Sequence, residues 1–305
     1  MARSGADVRP RRNRSPTKHA RLKKPASVAS PYLRHGLSCL FALAVLLAPA
    51  ASPGQMADLV DRSALRVCAD PANMPFSNDK GQGFENKIAD LLAQKLSVPV
   101  IYTWFPQATG FVRNTLGARK CDLVIGFPQG DELVQNTNTY YRSAYVLIYR
   151  TDSPLAGVET LDDPRLKGKS IGVIAGTPPA TIMAMDGLLG TARSFQLVVD
   201  RRYSSPTEEM MAAVANGELD GGVLWGPIGG YYAKLSPVPM SVVPLVKETK
   251  GPRMIFRITM GIRPREPDWK HELNDLIAVS QDEINAILLD FGVPILTEND
   301  EPIRR

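Results

Sequence analysis

Apolar and polar residues alternate along the chain in short blocks that predict strands interleaved with helices. The run Leu65–Cys68 is typical of a short buried strand, and Asp70 and Pro71 end it in a turn. A helix follows, with apolar residues at helical spacing: Phe84, Ile88, Leu91, Leu92 and Leu96. A strand, a loop and a helix in this order form the first half of a βαβ unit. Its loop lies at the carboxyl end of the strand, where open α/β sheets bind ligands.

The same pattern continues to the end of the chain. Further strands are predicted at Val100–Trp104, Cys121–Gly126, Tyr140–Tyr149, Ser170–Ile174, Leu197–Asp200, Leu219–Trp225, Ser241–Leu245 and Met254–Ile262. Helices are predicted at Phe111–Leu116, after Gly176-Thr177-Pro178, after the capping-box pattern Ser205-Pro206-Thr207-Glu208, through Tyr231 and Leu235, and from Trp269 to Phe291. The fold class is therefore α/β.

Two polar segments, Arg150–Pro154 and Lys247–Arg253, divide these elements into two lobes. Residues 58–150 and 252–305 are expected to form lobe 1, and residues 151–251 to form lobe 2. One lobe interrupted by another, with two crossings, is typical of a hinged cleft that closes around a ligand.

Charge is unevenly distributed along the chain. The total is +5, but residues 1–50 hold ten Lys or Arg and one Asp, so the remainder has a net charge of −4. This distribution gives no case for nucleic-acid binding.

The basic stretch precedes the apolar run Leu37–Leu47 and the small residues Ala48-Pro49-Ala50, an order typical of an export signal. The run is shorter than the roughly 20 residues of a membrane span. Residues 1–50 are therefore predicted to be a cleaved signal peptide, without a stable membrane anchor, that directs the protein to the periplasm; the alternative is an uncleaved anchor.

Two cysteines, Cys68 and Cys121, remain after such cleavage. In an oxidising compartment a lone pair of thiols often forms a disulfide. Cys68 ends one predicted strand and Cys121 begins another, so parallel neighbours would hold them apart unless the chain bends locally. The sequence is compatible both with a disulfide between these cysteines and with two free thiols. His271 and these two cysteines give no zinc or haem spacing, so no metal site is expected.

From about Leu65 to Phe291 the chain resembles type 2 periplasmic solute-binding proteins. The matching pieces are Leu65–Asp70, Pro75-Phe76, Gly83-Phe84-Glu85, Cys121–Gly126, Tyr140-Tyr141, Gly176-Thr177 and Leu219-Asp220. It resembles more specifically the J proteins, MxaJ and XoxJ, of PQQ-dependent methanol dehydrogenase systems. The specific marks are Arg66–Pro71, Pro75–Asn78, Gly83–Ala89 and Gly110–Leu116. The resemblance implies a two-lobe fold with a hinged cleft.

The cleft departs from the pattern of amino-acid binders of this fold. Those proteins hold the ligand carboxylate with an Arg seven positions after the Gly that ends the third strand, which counted from Gly126 is Leu133. They hold the ammonium with an Asp five positions after the Asp of a later strand, which counted from Asp220 is Trp225. Without these anchors a zwitterion would lose its hydration with poor compensation.

An apolar groove is expected instead. The residues predicted to line the cleft and bind a partner are Asp70, Phe76, Trp104, Phe127, Leu133, Gly176, Thr177 and Trp225. Thr177 and Gly176 open a helix whose free N–H groups could meet an anion, although an ordinary strand-to-helix turn is the commoner case. Each apolar residue taken singly could be core packing, and Phe76 is most simply explained that way.

Three functions compete. The resemblance implies a non-catalytic accessory factor that helps a PQQ-dependent alcohol dehydrogenase mature or become active in methanol oxidation. The enzyme's cytochrome c is a further candidate partner, and PQQ and the metal would belong to the enzyme. The alternative is a receptor that delivers a small molecule to an ABC transporter. The third is a dehydratase of the arogenate or prephenate type, for which Asp70 and Glu85 are the only obvious cleft acids and the matching Arg is absent.

Overall fold

The computed structural model describes residues 59–200, 203 and 205–303, so the predicted signal peptide lies outside the described residues. The strands are β1 (Leu65–Ala69), β2 (Ala72–Asn73), β3 (Ser77–Asn78), β4 (Val100–Trp104), β5 (Val124–Pro128), β6 (Gln135–Arg150), β7 (Ile171–Ile174), β8 (Arg193–Phe195), β9 (Gly221–Trp225), β10 (Met240–Pro244) and β11 (Ile255–Ile262). The helices are α1 (Phe84–Leu96), α2 (Phe111–Asn114), α3 (Pro178–Met185), α4 (Pro206–Ala215), α5 (Gly226–Leu235), α6 (Pro267–Val279) and α7 (Gln281–Asp290).

Lobe 1 combines parallel and antiparallel pairing. β1 pairs in parallel with β4, and a bridge from Val67 to Leu123 joins β1 to the segment that leads into β5. β11 lies between β5 and the first half of β6, antiparallel to both. Helices α1, α6 and α7 contribute to one buried core, which includes Phe84, Tyr140 and Trp269.

Lobe 2 is a sheet with apolar clusters on both faces. β9 and β10 flank the second half of β6, and β7 and β8 continue the sheet beyond β9. Leu147 and Val223 belong to one buried cluster, whereas their neighbours Val146 and Leu224 belong to the other. Successive strand residues point to opposite faces, so these apolar runs are buried on both sides.

A single strand, β6, runs through both lobes. Its residues up to Ala144 pair with β11, and from Tyr145 onward it pairs with β9. The lobe boundaries at residues 150 and 251 remain predictions. In the structure, β6 changes its pairing partner between Ala144 and Tyr145. The fold is the two-lobe α/β architecture expected from the sequence.

Local sequence determines where the helices begin. At α1 the Asn86 side chain accepts a hydrogen bond from the backbone N–H of Gly83 at 3.0 Å, which closes the first turn. Ser97 ends this helix in a left-handed conformation. At α4 the Ser205 hydroxyl accepts from the N–H of Glu208, as the capping-box pattern predicts.

One predicted strand is wrong. Leu197–Asp200 is not a strand, and the edge strand beside β7 is β8, a few residues earlier. Leu197 and Val198 are exposed, with 57% and 76% of their surface accessible. Their apolar character suggests a buried strand, yet the neighbouring edge is already paired by Arg193–Phe195.

Other differences concern strand ends. The segment predicted as a strand from Cys121 becomes regular only at Val124. Before that point Asp122 is held by side-chain contacts, because its carboxylate accepts hydrogen bonds from Arg66 at 2.7 and 2.8 Å and from Arg263 at 2.6 Å.

The lobes also touch where α5 meets the end of α7. A Cβ atom on Gly230 would lie 1.9 Å from the carbonyl oxygen of Gly292, so only glycine permits this approach. The rings of Tyr231 and Phe291 stack beside it with centroids 5.9 Å apart, and Lys234 donates a hydrogen bond to the carbonyl of Asp290. This contact joins lobe 2 to lobe 1 independently of β6 and of the crossing segment Lys247–Arg253.

The two cysteines are joined in the structure. Cys68 and Cys121 form a disulfide with Cα atoms 5.6 Å apart. Val67 pairs in parallel with Leu123. Two straight strands would therefore place Cys68 beside Val124, three positions beyond Cys121. The turn ahead of Asp122 brings it back, and this is the local bend that parallel pairing requires.

Candidate functional site

Three aromatic rings pack edge to face where β6, β9 and β11 meet. The centroid of Trp225 lies 5.4 Å from that of Tyr145 and 5.6 Å from that of Phe256, and Tyr145 and Phe256 are 6.3 Å apart. The interplanar angles of 62–86° are those that aromatic quadrupoles favour. All three rings are only partly buried and line a cavity.

Strand register produces this arrangement. Tyr145 pairs directly with Trp225 across β6 and β9, and Ala144 pairs with Ile255 at the start of β11. Trp225 is also the last residue of its strand and immediately precedes α5. The rings therefore lie at the change of lobes, at the strand end where α/β sheets bind ligands.

We call the cavity the aromatic pocket. Its volume is about 280 Å³, close to the lower end of the range for small-ligand sites. Its lining residues are Phe76, Glu85, Gln107, Gly126, Phe127, Pro128, Tyr141, Tyr145, Trp225, Phe256 and Ile258. None of these described residues is a Lys or an Arg, so the pocket wall offers no cation for a ligand carboxylate.

Glu85 is the acid of the aromatic pocket. It is the second residue of α1 and only 8% exposed. Burial, and secondarily the negative charge of Asp70, raise the pKa of its carboxyl from 4.5 to about 8. The side chain is therefore mostly a neutral carboxylic acid at pH 7.

Glycine at position 126 makes room for this acid. A Cβ atom there would lie 2.0 Å from Oε1 of Glu85, so any larger residue would displace the carboxyl. The glycine at the end of the predicted third strand thus has a structural reason: the carboxyl lies against its backbone.

Asp70 organises the loop after β1. Its Oδ1 accepts the N–H of Ala72 at 2.9 Å, and its Oδ2 accepts the N–H of Gln107 at 2.7 Å. It lines a neighbouring cavity together with the exposed Leu197 and Val198. Asp70 does not line the aromatic pocket, and its charge acts electrostatically on Glu85, which does.

Gly176 and Thr177 open α3 as predicted. Gly176 has a φ of 77°, the left-handed region that suits glycine, and the Thr177 hydroxyl donates to the carbonyl of Ile174 at 2.6 Å. Thr177 lines a second cavity, which shares Tyr145 and Trp225 with the aromatic pocket. These residues therefore lie along the same cleft.

Two predicted cleft residues lie elsewhere. Leu133 is 66% exposed in the loop between β5 and β6 and lines none of the described cavities. Trp104 stacks on Tyr102 with centroids 4.4 Å apart and packs against the core of lobe 1. Counting positions across a loop does not say where a side chain points, and a strand-end Trp can pack inward.

Phe76, Phe127 and Trp225 do line the pocket. Phe76 also packs against Phe84 at 5.2 Å, so it serves both the core and the pocket wall.

Sequence reasoning missed Tyr145 and Phe256, and it named Glu85 only as a cleft acid for the dehydratase candidate. Tyr145 and Phe256 belong to apolar strands, and only the pairing of distant strands identifies them as pocket residues. The signal available for Glu85 was an acid at the start of a helix that is otherwise buried on one face.

Known proteins resemble this chain over most of its length. The crystal structure of the periplasmic binding protein XoxJ from Methylobacterium extorquens AM1 has 45% sequence identity and a TM-score of 0.66. The match covers 77% of this chain and 100% of that one. Protein MoxJ from Methylorubrum extorquens is 31% identical over 280 residues, 85% of this chain and 93% of that protein. The chain belongs to the family of periplasmic binding proteins that includes MoxJ and XoxJ.

A second family member, MoxJ from Paracoccus denitrificans, is 26% identical over 251 residues, 78% of this chain and 91% of that protein. A scan against protein-family models found no match. No helix in the described part of the chain has the length and apolar character that a membrane span requires.

Proposed function

We propose that the protein is a non-catalytic accessory factor whose cleft binds a PQQ-dependent methanol or alcohol dehydrogenase and helps it mature or become active. Membership of the MoxJ and XoxJ family supports a binding role linked to methanol oxidation. The enzyme's cytochrome c is a second candidate partner. In this proposal PQQ and the metal ion belong to the dehydrogenase.

The observation that carries the proposal is the ring cluster of Tyr145, Trp225 and Phe256 in a pocket without a cationic anchor. Trp and Tyr side chains in well-packed, desolvated pockets are enriched among protein–protein hot spots. A free amino acid would bring a carboxylate that no pocket residue neutralises, and burying an unpaired charge is costly. A polypeptide segment brings apolar side chains and no such charge.

Replacing Trp225 by alanine tests the proposal. Truncation of a hot-spot Trp typically costs 2 kcal/mol or more of binding free energy, which weakens binding by about 30-fold. We expect Trp225→Ala to bind the purified dehydrogenase at least that much more weakly and to activate it less. The melting temperature should fall less than for a fully buried Trp, because Trp225 is partly exposed.

Trp104→Ala is the matched control, since this Trp is also partly buried but lies outside the pocket. It should bind the dehydrogenase as the parent protein does. If Trp225→Ala binds normally, or if both variants lose binding equally, the aromatic pocket is not the contact surface and the proposal fails at its main support.

Export is part of the same proposal. Basic residues, the apolar run Leu37–Leu47 and Ala48-Pro49-Ala50 support removal of residues 1–50 and release into the periplasm. The intact mass of the periplasmic protein should show a start close to residue 51. A membrane-bound product that keeps residues 1–50 would contradict it.

The size of the pocket favours a second candidate, a receptor for a small molecule. A volume of about 280 Å³ suits a small ligand better than a folded surface. A saturable small-molecule ligand, together with no affinity for the dehydrogenase, would establish this candidate in place of the first.

A further inference from the structure

Glu85 presents a buried carboxyl to the aromatic pocket without an internal partner. Among the residues that the structure describes, no hydrogen bond or ion pair is made to this carboxyl, although the side chain is more than nine-tenths buried. Buried polar groups nearly always have partners, because a lost hydrogen bond to water is costly. The oxygens of this carboxyl are not among the fully enclosed side-chain atoms that lack a partner, so they open onto the pocket that Glu85 lines, and a partner for them is to be sought there.

A purely local role does not account for this position. A Glu in the first turn of a helix is stabilised by the helix dipole, but the same benefit is available to an exposed side chain. Here the chain instead buries the carboxyl against the backbone of Gly126, where a Cβ would lie 2.0 Å from Oε1. Two residues from different elements thus combine to place the acid in the pocket.

The surroundings are acidic and aromatic. Asp70 acts on Glu85 from the loop after β1, and the facing titratable groups on β4 and β6 are the phenols of Tyr102, Tyr140 and Tyr141, which burial keeps neutral. No cation contributes to the electrostatics of this carboxyl within the described residues. Within the described residues the charge of Asp70 therefore disfavours anions in the pocket, and no cation is present to balance an ionised Glu85.

We propose that the aromatic pocket binds an alkylammonium group, with Glu85 as its counter-ion and the rings of Tyr145, Trp225 and Phe256 around its alkyl stem. Ammonium groups are attracted both to carboxylates and to aromatic faces. The group comes either from a lysine side chain of the protein segment that the cleft holds, in which case this inference rests on the proposed function, or from a small free amine.

Binding has a defined proton balance. At pH 7 the free protein holds Glu85 mainly as the neutral acid. An arriving ammonium keeps its own proton, and the carboxyl loses its proton to the buffer as the ion pair forms. Binding should therefore release up to one proton and become tighter as the pH rises from 6 to 8.

Calorimetric titration of the purified protein tests the proposal. The probes are n-butylammonium and N-acetyl-lysine methylamide, and the controls are n-pentanol, which is uncharged, and butyrate, which is an anion. We expect either or both ammonium probes to bind and both controls to bind at least tenfold more weakly. The heat should depend on the ionisation enthalpy of the buffer, which reports the released proton.

Variants assign the effect to the carboxyl. Glu85→Gln keeps the shape but cannot ionise, and should lose at least tenfold in ammonium affinity. Glu301→Gln makes the same substitution at an exposed site and should bind as the parent does. Gly126→Ala leaves Glu85 in the sequence but displaces its carboxyl, so it should weaken binding as well; a thermal melt checks that each variant is folded.

The outcomes separate cleanly. Binding of the lysine derivative alone assigns the site to a peptide, and binding of butylammonium alone assigns it to a free amine. The proposal is overturned if neither ammonium probe binds, if butyrate or pentanol binds equally well, or if folded Glu85→Gln keeps its affinity. Loss of amine binding in Glu85→Gln with dehydrogenase binding intact leaves the proposed function standing. If the amines bind but the protein has no affinity for the dehydrogenase, the proposed function is refuted and the ammonium site still stands.

Discussion

Replacing Glu85 by glutamine should make the protein more stable at neutral pH. The carboxyl has a pKa of about 8 in the folded protein and its ordinary value of 4.5 when exposed. Between these two values the folded state keeps the proton while the unfolded state loses it. Stability conferred by the neutral acid is therefore complete below pH 4.5, decreases as the pH rises, and is lost once the pH passes about 8.

The magnitude follows from the same two values. Each pH unit between them costs the folded state about 1.4 kcal/mol, so the parent protein loses about 3 kcal/mol between pH 4.5 and pH 7 through this group alone. Glutamine does not titrate and retains the shape. The free energy of unfolding of Glu85→Gln minus that of the parent should rise by about 3 kcal/mol over this range and level off above pH 8.

Urea denaturation at pH 5, 6, 7 and 8 measures this difference, because titrating groups that do not interact with Glu85 change both proteins equally. The control is Glu301→Gln, whose curve should run parallel to that of the parent. Parallel curves for Glu85→Gln as well would show that Glu85 is ionised in the folded protein. The account of a neutral acid in the aromatic pocket would then be refuted.

Three further results are expected. Reducing the Cys68–Cys121 disulfide, which closes a loop of 53 residues, should lower the free energy of unfolding by about 4 kcal/mol in the chain-entropy account. Urea denaturation with and without dithiothreitol measures this change, and a Cys68→Ser/Cys121→Ser double variant should not respond to the reductant. Gly230→Ala should lower stability by about 1–3 kcal/mol because its Cβ meets the Gly292 carbonyl, whereas Gly190→Ala, in open space, should have little effect on the urea midpoint. A thermal-shift screen of the free amino acids other than lysine, whose side chain carries the alkylammonium group proposed above, should be flat, although a ligand at a hundredfold excess over its Kd would add about 2.7 kcal/mol; a saturable shift with any of them would favour the transport-receptor candidate.

The sequence predicts the elements of this fold well where the pattern is local. The spacing of Phe84, Ile88 and Leu92 defines α1, and each of these residues is fully buried as a helical core face requires. The one misplaced strand, Leu197–Asp200, fails because apolar character alone does not distinguish a buried strand from an exposed loop beside a cleft.

The site is less accessible to sequence reasoning. Trp225 could be identified because it ends a strand at the expected edge, but its contact with Tyr145 depends on the register of two strands 80 positions apart. Leu133 shows the opposite difficulty, since position counting across a loop suggests a cleft residue and the side chain is exposed to solvent. The role of Gly126 depends on a distance of closest approach that no sequence pattern encodes.

The position of β11 has a consequence for how the chain folds. This strand lies between β5 and β6, yet it comes after all of lobe 2 in the sequence. During synthesis lobe 2 can complete its sheet while the sheet of lobe 1 still has a gap with two unpaired edges. Such edges readily pair with other chains, so lobe 1 is the aggregation-prone half until Ile255–Ile262 arrives. A chain truncated before Ile255 should therefore aggregate even though lobe 2 is intact.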